Sequence, residues 1–154
     1  YVWASLRRLG VQDRDLEDLT HDVFLQVHLK LATYDRSRPL RPWLFAFALR
    51  LASDYRKLAR HKTRLGDYDA VADEDTAEDQ LEARDRAELL RLALERVPLD
   101  LRAVLILHDI DETPMKEIAE SLEIPLNTGY SRLRLARGQC AEAVKQLSKK
   151  QATR

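Results

Sequence analysis

The sequence predicts an all-helical protein built from two small modules. Its apolar residues recur at helical spacing, and few stretches alternate between apolar and polar residues as half-buried strands do. Glycine is rare, with four residues in a chain of 154. The net charge is zero, yet two basic stretches enclose an acidic one. Such blocks of charge indicate two modules and a linker, and we expect the following division: 1–64, 65–79 (linker), 80–147 and a basic tail, 148–154.

The first module begins with two predicted helices. The first spans about 1–9 and ends at Gly10. The second spans about 15–31, because acidic residues at its start suit the positive end of the helix dipole. Its buried stripe is formed by Leu16, Leu19, Val23, Val27 and Leu31.

A third helix, at about 43–61, follows a loop at 33–42. Its apolar face includes Trp43 and Phe47, which we expect in the core of the module. The opposite face is basic, since residues 50–64 hold six Lys and Arg residues against one acid. These cations are Arg50, Arg56, Lys57, Arg60, Lys62 and Arg64.

The acidic linker has little apolar content and no clear period, so we expect it to be mobile. The second module opens with a predicted helix at about 79–97. Pro98 interrupts this helix, and 101–110 continues it.

Residues 115–144 have the pattern of a helix-turn-helix. A first helix with one apolar face precedes Pro125, and Asn127 or Thr128 is expected to cap a second helix. Arginines and hydroxyls near the start of that helix suit entry into the DNA major groove. An ordinary helical hairpin with a solvated basic face is the alternative. The candidate DNA contacts are Asn127, Thr128, Tyr130, Ser131, Arg132, Arg134 and Arg137.

Several classes of function find no support in the sequence. The single cysteine, Cys140, is expected to be a small buried hydrophobe, and no Cys/His metal cluster is visible. There is no Ser/His/Asp set and no glycine-rich phosphate loop, so we expect neither an enzyme nor a cofactor. No apolar run approaches the length of a membrane span, and the expected compartment is the cytoplasm.

Three stretches, in order along the chain, resemble those of one protein family. The segment 15–25, with Asp15-Leu16-Glu17-Asp18-Leu19, resembles a polymerase-docking helix, and 41–64 resembles a promoter-melting helix. The segment 97–137, with Glu117-Ile118-Ala119, Ile124-Pro125 and Ser131-Arg132-Leu133, resembles a reader of the minus-thirty-five element. The chain is therefore similar to extracytoplasmic-function sigma factors, the small class of bacterial RNA polymerase specificity subunits. The short linker leaves no room for the middle domain of housekeeping sigma factors.

The resemblance implies partners and site residues. It implies binding to core RNA polymerase through the beta-prime clamp coiled coil and the beta flap, binding to promoter DNA, and control by an anti-sigma factor. The docking residues would be Asp15, Asp18, Asp22 and Gln26. The minus-ten residues would be Tyr34, Arg36, Arg38, Arg41, Arg50, Arg56, Lys57 and Arg60. Tyr34 is equally well explained as an anchor of its loop.

The chain departs from the family pattern at three places. Gly129-Tyr130 stands where the family usually has Val-Lys or Val-Arg, Leu135 where it often has Arg, and Arg50 where it commonly has Asn. Two other functions stay open at this point. One is a helix-turn-helix regulator that binds duplex DNA without being a polymerase subunit, against which the 15–25 match argues. The other is a protein-only decoy or interaction module.

Overall fold

The computed structural model describes the backbone of residues 1–63 and 78–152, and the side chains of 1–59 and 86–149. Every regular element in these ranges is helical, which confirms the predicted fold class there. The α-helices are α1 (Val2–Arg8), α2 (Leu16–Lys30), α3 (Leu40–Thr63), α4 (Glu78–Glu95), α5 (Leu99–Leu105), α6 (Met115–Ser121) and α7 (Leu126–Ala152). Short 3-10 turns lie at Asp13–Asp15 and Leu31–Thr33, and a π turn, Ile106–Ile110, extends α5.

Helices α1, α2 and α3 pack pairwise into the first module. Leu6, Leu16, Val23 and Phe45 are fully buried between them. Burying one such side chain contributes about 1.5–3 kcal/mol, so these apolar contacts hold the three helices together. On α2, side chains turned away from this core, such as Asp22 and Leu29, are exposed.

Two details of the third helix differ from the prediction. It begins at Leu40 rather than near Trp43, because a proline such as Pro42 fits the first turn of a helix. Phe45 takes the core position, while Trp43 and Phe47 are half-buried at the edge of the core. Phe47 packs against the core as expected, although only partly buried, and Trp43 lies beside it with its ring 4.8 Å from that of Phe47.

In the second module, α4 and α5 pack along α7, and α6 packs on the start of α7. The chain turns at Pro98, whose carbonyl accepts a hydrogen bond from the Arg102 N–H at 2.8 Å. Leu94, Ile106, Ile118 and other fully buried side chains fill the space between the helices. The predicted interruption at Pro98 is confirmed.

The turn between α6 and α7 is closed by backbone geometry. Glu123 has a φ of 54°, and the Ile124 N–H donates to the Ala119 carbonyl at 2.9 Å, as in a Schellman motif. Helix α7 begins at Leu126, and the Pro125 carbonyl accepts the Gly129 N–H at 3.1 Å. The prediction that Asn127 or Thr128 caps this helix is therefore wrong.

Asn127 and Thr128 instead lie in the first turn of α7. Cys140 is half-buried beside the core, and burial raises the pKa of its thiol. Helix α4 already begins at Glu78, within the predicted linker. The remainder of that linker, 65–77, lies outside the described residues.

The two modules contact each other. Helix α6 lies against α3, helix α4 touches α1, and the buried apolar side chains of both modules form one connected cluster. Gly10, with a φ of +95°, sits at this junction: a Cβ there would lie 2.9 Å from Arg102 Nη1 and 3.0 Å from Arg56 Nη1. A side chain at position 10 would therefore disturb the packing of the modules.

Among the described helices, none is both long enough and apolar enough to cross a membrane.

Candidate nucleic-acid and protein interfaces

The outer face of α2 combines acids with exposed leucines. Asp18, Asp22 and Gln26 are exposed and follow one another at four-residue spacing, which places them on one side of the helix. Leu25 and Leu29 lie on the same side and are 49% and 72% exposed. We call these five residues the α2 face.

The two leucines of the α2 face were not predicted from the sequence. The signal was present, because they fall outside the buried stripe of α2 yet are strongly apolar. Isolated exposed leucines are common at protein surfaces, but two of them beside a row of acids form a coherent patch. Such a patch suits a partner that offers both cations and apolar groups.

Asp15, the fourth predicted docking residue, has a different environment. Its Oδ2 accepts a hydrogen bond from the Tyr55 hydroxyl at 2.7 Å, which ties the start of α2 to α3. Burial and this hydrogen bond raise the pKa of Tyr55 to about 12. Asp15 thus stabilises the packing of α2 on α3. It is not part of the α2 face.

The loop before α3 is organised around an aromatic row. Tyr34 lies 4.7 Å from Trp43, which in turn lies 4.8 Å from Phe47, measured between ring centroids. The Tyr34 hydroxyl donates to the Arg38 carbonyl at 2.6 Å. Tyr34 therefore anchors its own loop, and it keeps a partly exposed ring beside Trp43.

The predicted minus-ten cations lie on this loop and on α3. Arg36 is exposed, and Arg41 lies over the Tyr1 ring at 5.6 Å from the centroid. Arg38 approaches Asp35 at 3.6 Å and Glu120 of α6 at 3.8 Å. These cations lie at one end of the first module, and Arg38 among them faces the second module.

Further along α3, Arg50 and Lys57 are exposed and Arg56 is partly buried. Lys57 Nζ lies 3.3 Å from Asp54 Oδ1. The backbone of Arg60 continues α3, but its side chain is outside the described set. The described cations of this face are thus spread along α3.

Helix α7 presents the predicted recognition surface. Asn127, Tyr130, Ser131 and Arg134 are exposed, and Thr128 is partly buried. On the buried side, a Cβ at Gly129 would lie 2.6 Å from Met115 Sδ, so α6 and α7 approach unusually closely here. The glycine that departs from the family pattern is thereby explained by packing.

Two of the three predicted recognition arginines are engaged within the protein. Arg137 donates from Nε and Nη2 to the Asp109 carboxylate at 2.8 and 2.6 Å, and Arg132 Nε lies 3.7 Å from Asp100 Oδ2. Asp109 also pairs with His108 Nδ1 at 2.7 Å. The Arg137 and His108 contacts lower the pKa of Asp109 to about 2.

Acids of the second module lie opposite α1 and the start of α3. Asp111 accepts a hydrogen bond from the Tyr1 hydroxyl at 2.8 Å and lies 3.7 Å from Arg8. Burial and Asp111 together raise the pKa of Tyr1. A cleft beside these contacts is lined by Arg41 on one side and by Glu112 and Glu117 on the other. The contact between the modules is therefore charge-complementary.

In the described part of the chain, no three His, Cys, Asp or Glu side chains converge as they would around a metal ion.

Comparison with known families assigns both modules. Residues 1–62 match the family described as sigma-70 region 2, and residues 87–140 match that described as sigma-70, region 4. The two matches lie in the order predicted from the sequence.

The chain is also similar to individual proteins described as ECF RNA polymerase sigma factors. The chain is 30% identical over 146 residues to the ECF RNA polymerase sigma factor SigE of Mycolicibacterium smegmatis, covering 90% of this chain and 55% of that protein. It is 23% identical to the ECF RNA polymerase sigma-E factor of Escherichia coli K12, with coverage of 87% and 76%. It is 26% identical to SigW of Bacillus subtilis, with coverage of 80% and 72%. The chain thus spans about half the length of the mycobacterial relative.

Two solved structures share the fold. The sigma factor RpoE of Bartonella quintana, solved with the anti-sigma factor NepR, superposes with a TM-score of 0.73 at 22% identity, covering 94% of this chain and 89% of that one. CnrH, solved with the cytosolic domain of CnrY, superposes with a TM-score of 0.64 at 22% identity, with coverage of 94% and 80%.

Proposed function

The chain belongs to the extracytoplasmic-function sigma factors of the sigma-70 family, and on this premise we propose that it binds core RNA polymerase and directs promoter-specific transcription initiation. Members of this family are non-catalytic polymerase subunits, in line with the expectation that the chain is not an enzyme. The observation that carries the proposal is the presence, in one chain, of the α2 face and of a helix-turn-helix with an exposed recognition surface.

The α2 face would supply the polymerase contact. Asp18 and Asp22 would pair with arginines of the beta-prime clamp coiled coil, since charge-assisted pairs of carboxylate and guanidinium are the strongest hydrogen bonds of this kind. Leu25 and Leu29 would lose their exposure to water at the same interface, and burial of apolar area favours association. The second module would contact the beta flap.

Promoter DNA would be bound at two places. The loop around Tyr34 and Arg36 and the basic face of α3 would hold the melted minus-ten element, where exposed bases are caught by stacking and the backbone by cations. The start of α7 would enter the major groove of the minus-thirty-five element. In this proposal the modules 1–64 and 80–147 act on one promoter while the segment 65–79 connects them.

The proposal is tested by reconstitution with core polymerase. We expect the full chain to bind core in a pull-down and to start transcription at discrete sites of a genomic promoter library. Binding to duplex DNA without core, and no stimulation of transcription with it, would instead identify a classical regulator. Binding to core without initiation would identify a decoy.

We further propose that an anti-sigma factor controls the chain, supported by the complexes in which the structural relatives were solved. Such a partner would cover the α2 face and compete with the polymerase clamp. The measurement is capture of a partner by the full chain from cells of its source, followed by competition with core. Loss of capture in a variant that reverses Asp18 and Asp22 supports a shared surface, and unchanged capture contradicts it.

A further inference from the structure

The arginines of α7 are not equivalent. Arg137 is held by two hydrogen bonds to Asp109, and Arg132 lies beside Asp100. Arg134 is exposed and, within the described residues, has no ion pair. An arginine whose guanidinium is already bound to a carboxylate has fewer donors for a base edge, so Arg134 is the arginine best placed to contact DNA.

Two exposed apolar side chains precede Arg134 along α7. Leu126 is 45% exposed and Tyr130 is 54% exposed. Leu126 lies four residues before Tyr130, and Tyr130 lies four residues before Arg134. Residues at this spacing lie only about 40° apart around a helix, so Leu126, Tyr130 and Arg134 form one stripe. We call it the recognition stripe.

The orientation of the recognition stripe is fixed by the helix beneath it. Gly129 is buried against Met115, and Leu133 and Ala136 are also buried, so α7 is seated firmly on α6 and the body of the module. The stripe runs along the first three turns of α7, the helix that follows the turn. In helix-turn-helix proteins this part of the second helix contacts base edges.

The chemistry of the recognition stripe selects its ligand. The thymine methyl is the apolar group that bases present in the major groove, and arginine pairs best with the guanine edge. Resting on the proposed function, we propose that Leu126 and Tyr130 read thymine methyl groups of the minus-thirty-five element, and that Arg134 reads a neighbouring base edge. Arg132 and Arg137 are positioning residues that hold α7 on the module.

The test replaces thymine by uracil, which removes only the methyl group. First, the preferred duplex is selected from a randomised upstream element, both with the full chain alone and with the full chain bound to core polymerase. Uracil is then placed at each thymine in turn, and affinity is measured by competition. We expect a loss of about four-fold at one or two positions, the factor that corresponds to one buried methyl-sized group.

Variants assign the effect to residues. In Leu126→Ala and Tyr130→Ala the sensitivity to uracil should disappear at the position each residue contacts, whereas Tyr130→Phe should keep it. Leu135→Ala is the matched control, because Leu135 is 50% exposed on another side of α7. Arg134→Gln should relax preference at one base pair and lower affinity about five- to hundred-fold, whereas Arg132→Gln and Arg137→Gln should leave the selected sequence unchanged.

The outcomes separate this inference from the proposed function. Tolerance of uracil at every thymine, or unaltered sensitivity in both alanine variants, would overturn the reading of methyl groups even if transcription starts normally. A chain that selects a thymine-dependent duplex but never initiates transcription with core would contradict the proposed function and support the inference. A chain that selects no duplex sequence, alone or with core, would overturn both.

Discussion

Single residues decide how closely α6 and α7 pack. Gly129 leaves room for Met115, whereas a Cβ at Gly138 would meet nothing within 4 Å. The departure from the family pattern at 129 was visible in the sequence, but its cause was not. Only the structure shows which side chain fills the space, because Met115 lies in a different helix.

This contrast gives a paired prediction. Gly129→Ala should destabilise the protein by about 1–3 kcal/mol, because the new methyl group overpacks the contact with Met115. Gly138→Ala should stabilise it by up to about 1 kcal/mol, since alanine is the better helix former at an open position. Chemical denaturation measures both, and Met115→Val in the Gly129→Ala background should recover part of the loss. If Gly129→Ala and Gly138→Ala change the free energy of unfolding by the same amount, helix propensity alone explains both.

The pair of Asp109 and Arg137 could not be predicted from the sequence, because its members are 28 residues apart and meet only when α5 packs on α7. Sequence analysis could recognise Arg137 as a cation on a candidate recognition helix. It could not show that a carboxylate already binds the guanidinium. The same holds for Arg132 and Asp100.

The lowered pKa of Asp109 makes this contact dependent on pH. The carboxyl titrates at about 2 in the folded chain and near its ordinary 3.8 when unfolded, so its contribution to stability is present above about pH 4 and is lost as pH falls toward 2. Asp109→Asn should therefore lower the melting temperature at pH 7, and the difference from wild type should shrink between pH 5 and pH 2. We expect on the order of 1 kcal/mol or less, because the pair is partly exposed.

The control for this experiment is Asp54→Asn, which removes an exposed acid paired with Lys57 within one helix. It should change stability little at any pH. If wild type and Asp109→Asn lose stability in parallel on acidification, the Asp109 contact does not contribute as described.

At the scale of helices, periodicity located the elements and their buried sides. The break at Pro98 and the buried side of α2 from Leu16 to Val27 were predicted from spacing alone. Leu31, predicted to continue this stripe, is instead 56% exposed in the 3-10 turn after α2. The ends were less predictable, because Pro42 and Pro125 both permit helix starts near them and local backbone bonds decide the residue. The π turn at Ile106–Ile110, after α5, was not predicted from helical periodicity or from a proline.

The acids and the leucines of the α2 face should contribute separately to binding of core polymerase. Reversing Asp18 and Asp22 to Lys should weaken binding to core polymerase about ten-fold or more, because two carboxylates opposite cations become repulsive. Both sites are exposed, so circular dichroism should show an unchanged helical content. Leu25→Ser with Leu29→Ser should weaken binding without altering its dependence on salt.

Glu17→Lys with Glu123→Lys makes a charge-matched control, since both acids are exposed and lie outside the α2 face. This variant should bind core like wild type. If the variant with Asp18 and Asp22 reversed to Lys binds core polymerase as tightly as wild type does, these two residues do not lie in the interface.

At the scale of the whole molecule, the contact between the modules places cations proposed for the minus-ten element against acids of the second module. Arg38 lies near Glu120, and Asp111 holds Tyr1 and Arg8. The sequence predicted two modules with basic stretches on either side of an acidic linker, but not that these particular groups meet, since the contact joins residues more than eighty positions apart. The Arg38 guanidinium thus lies near both Asp35 of its own loop and Glu120 of α6.

The charged contact between the two modules should open when its acids are neutralised. Asp111→Asn with Glu120→Gln should loosen the modules, because it removes the carboxylate charges that lie 3.7 Å from Arg8 and 3.8 Å from Arg38 across the contact. Small-angle scattering should then report a larger radius of gyration, and single-stranded minus-ten DNA should bind the free chain more tightly. Glu17→Gln with Glu123→Gln adds the same net charge away from the contact, so its effect on binding is subtracted. Raising the salt concentration should weaken the Arg38–Glu120 pair and shift the wild-type chain in the same direction. Both side chains are largely exposed (59% and 43%), and such pairs are screened over about 10 Å at 0.1 M salt. A variant that stays as compact as wild type, with no gain over the control, would show that apolar packing holds the modules together without these charges.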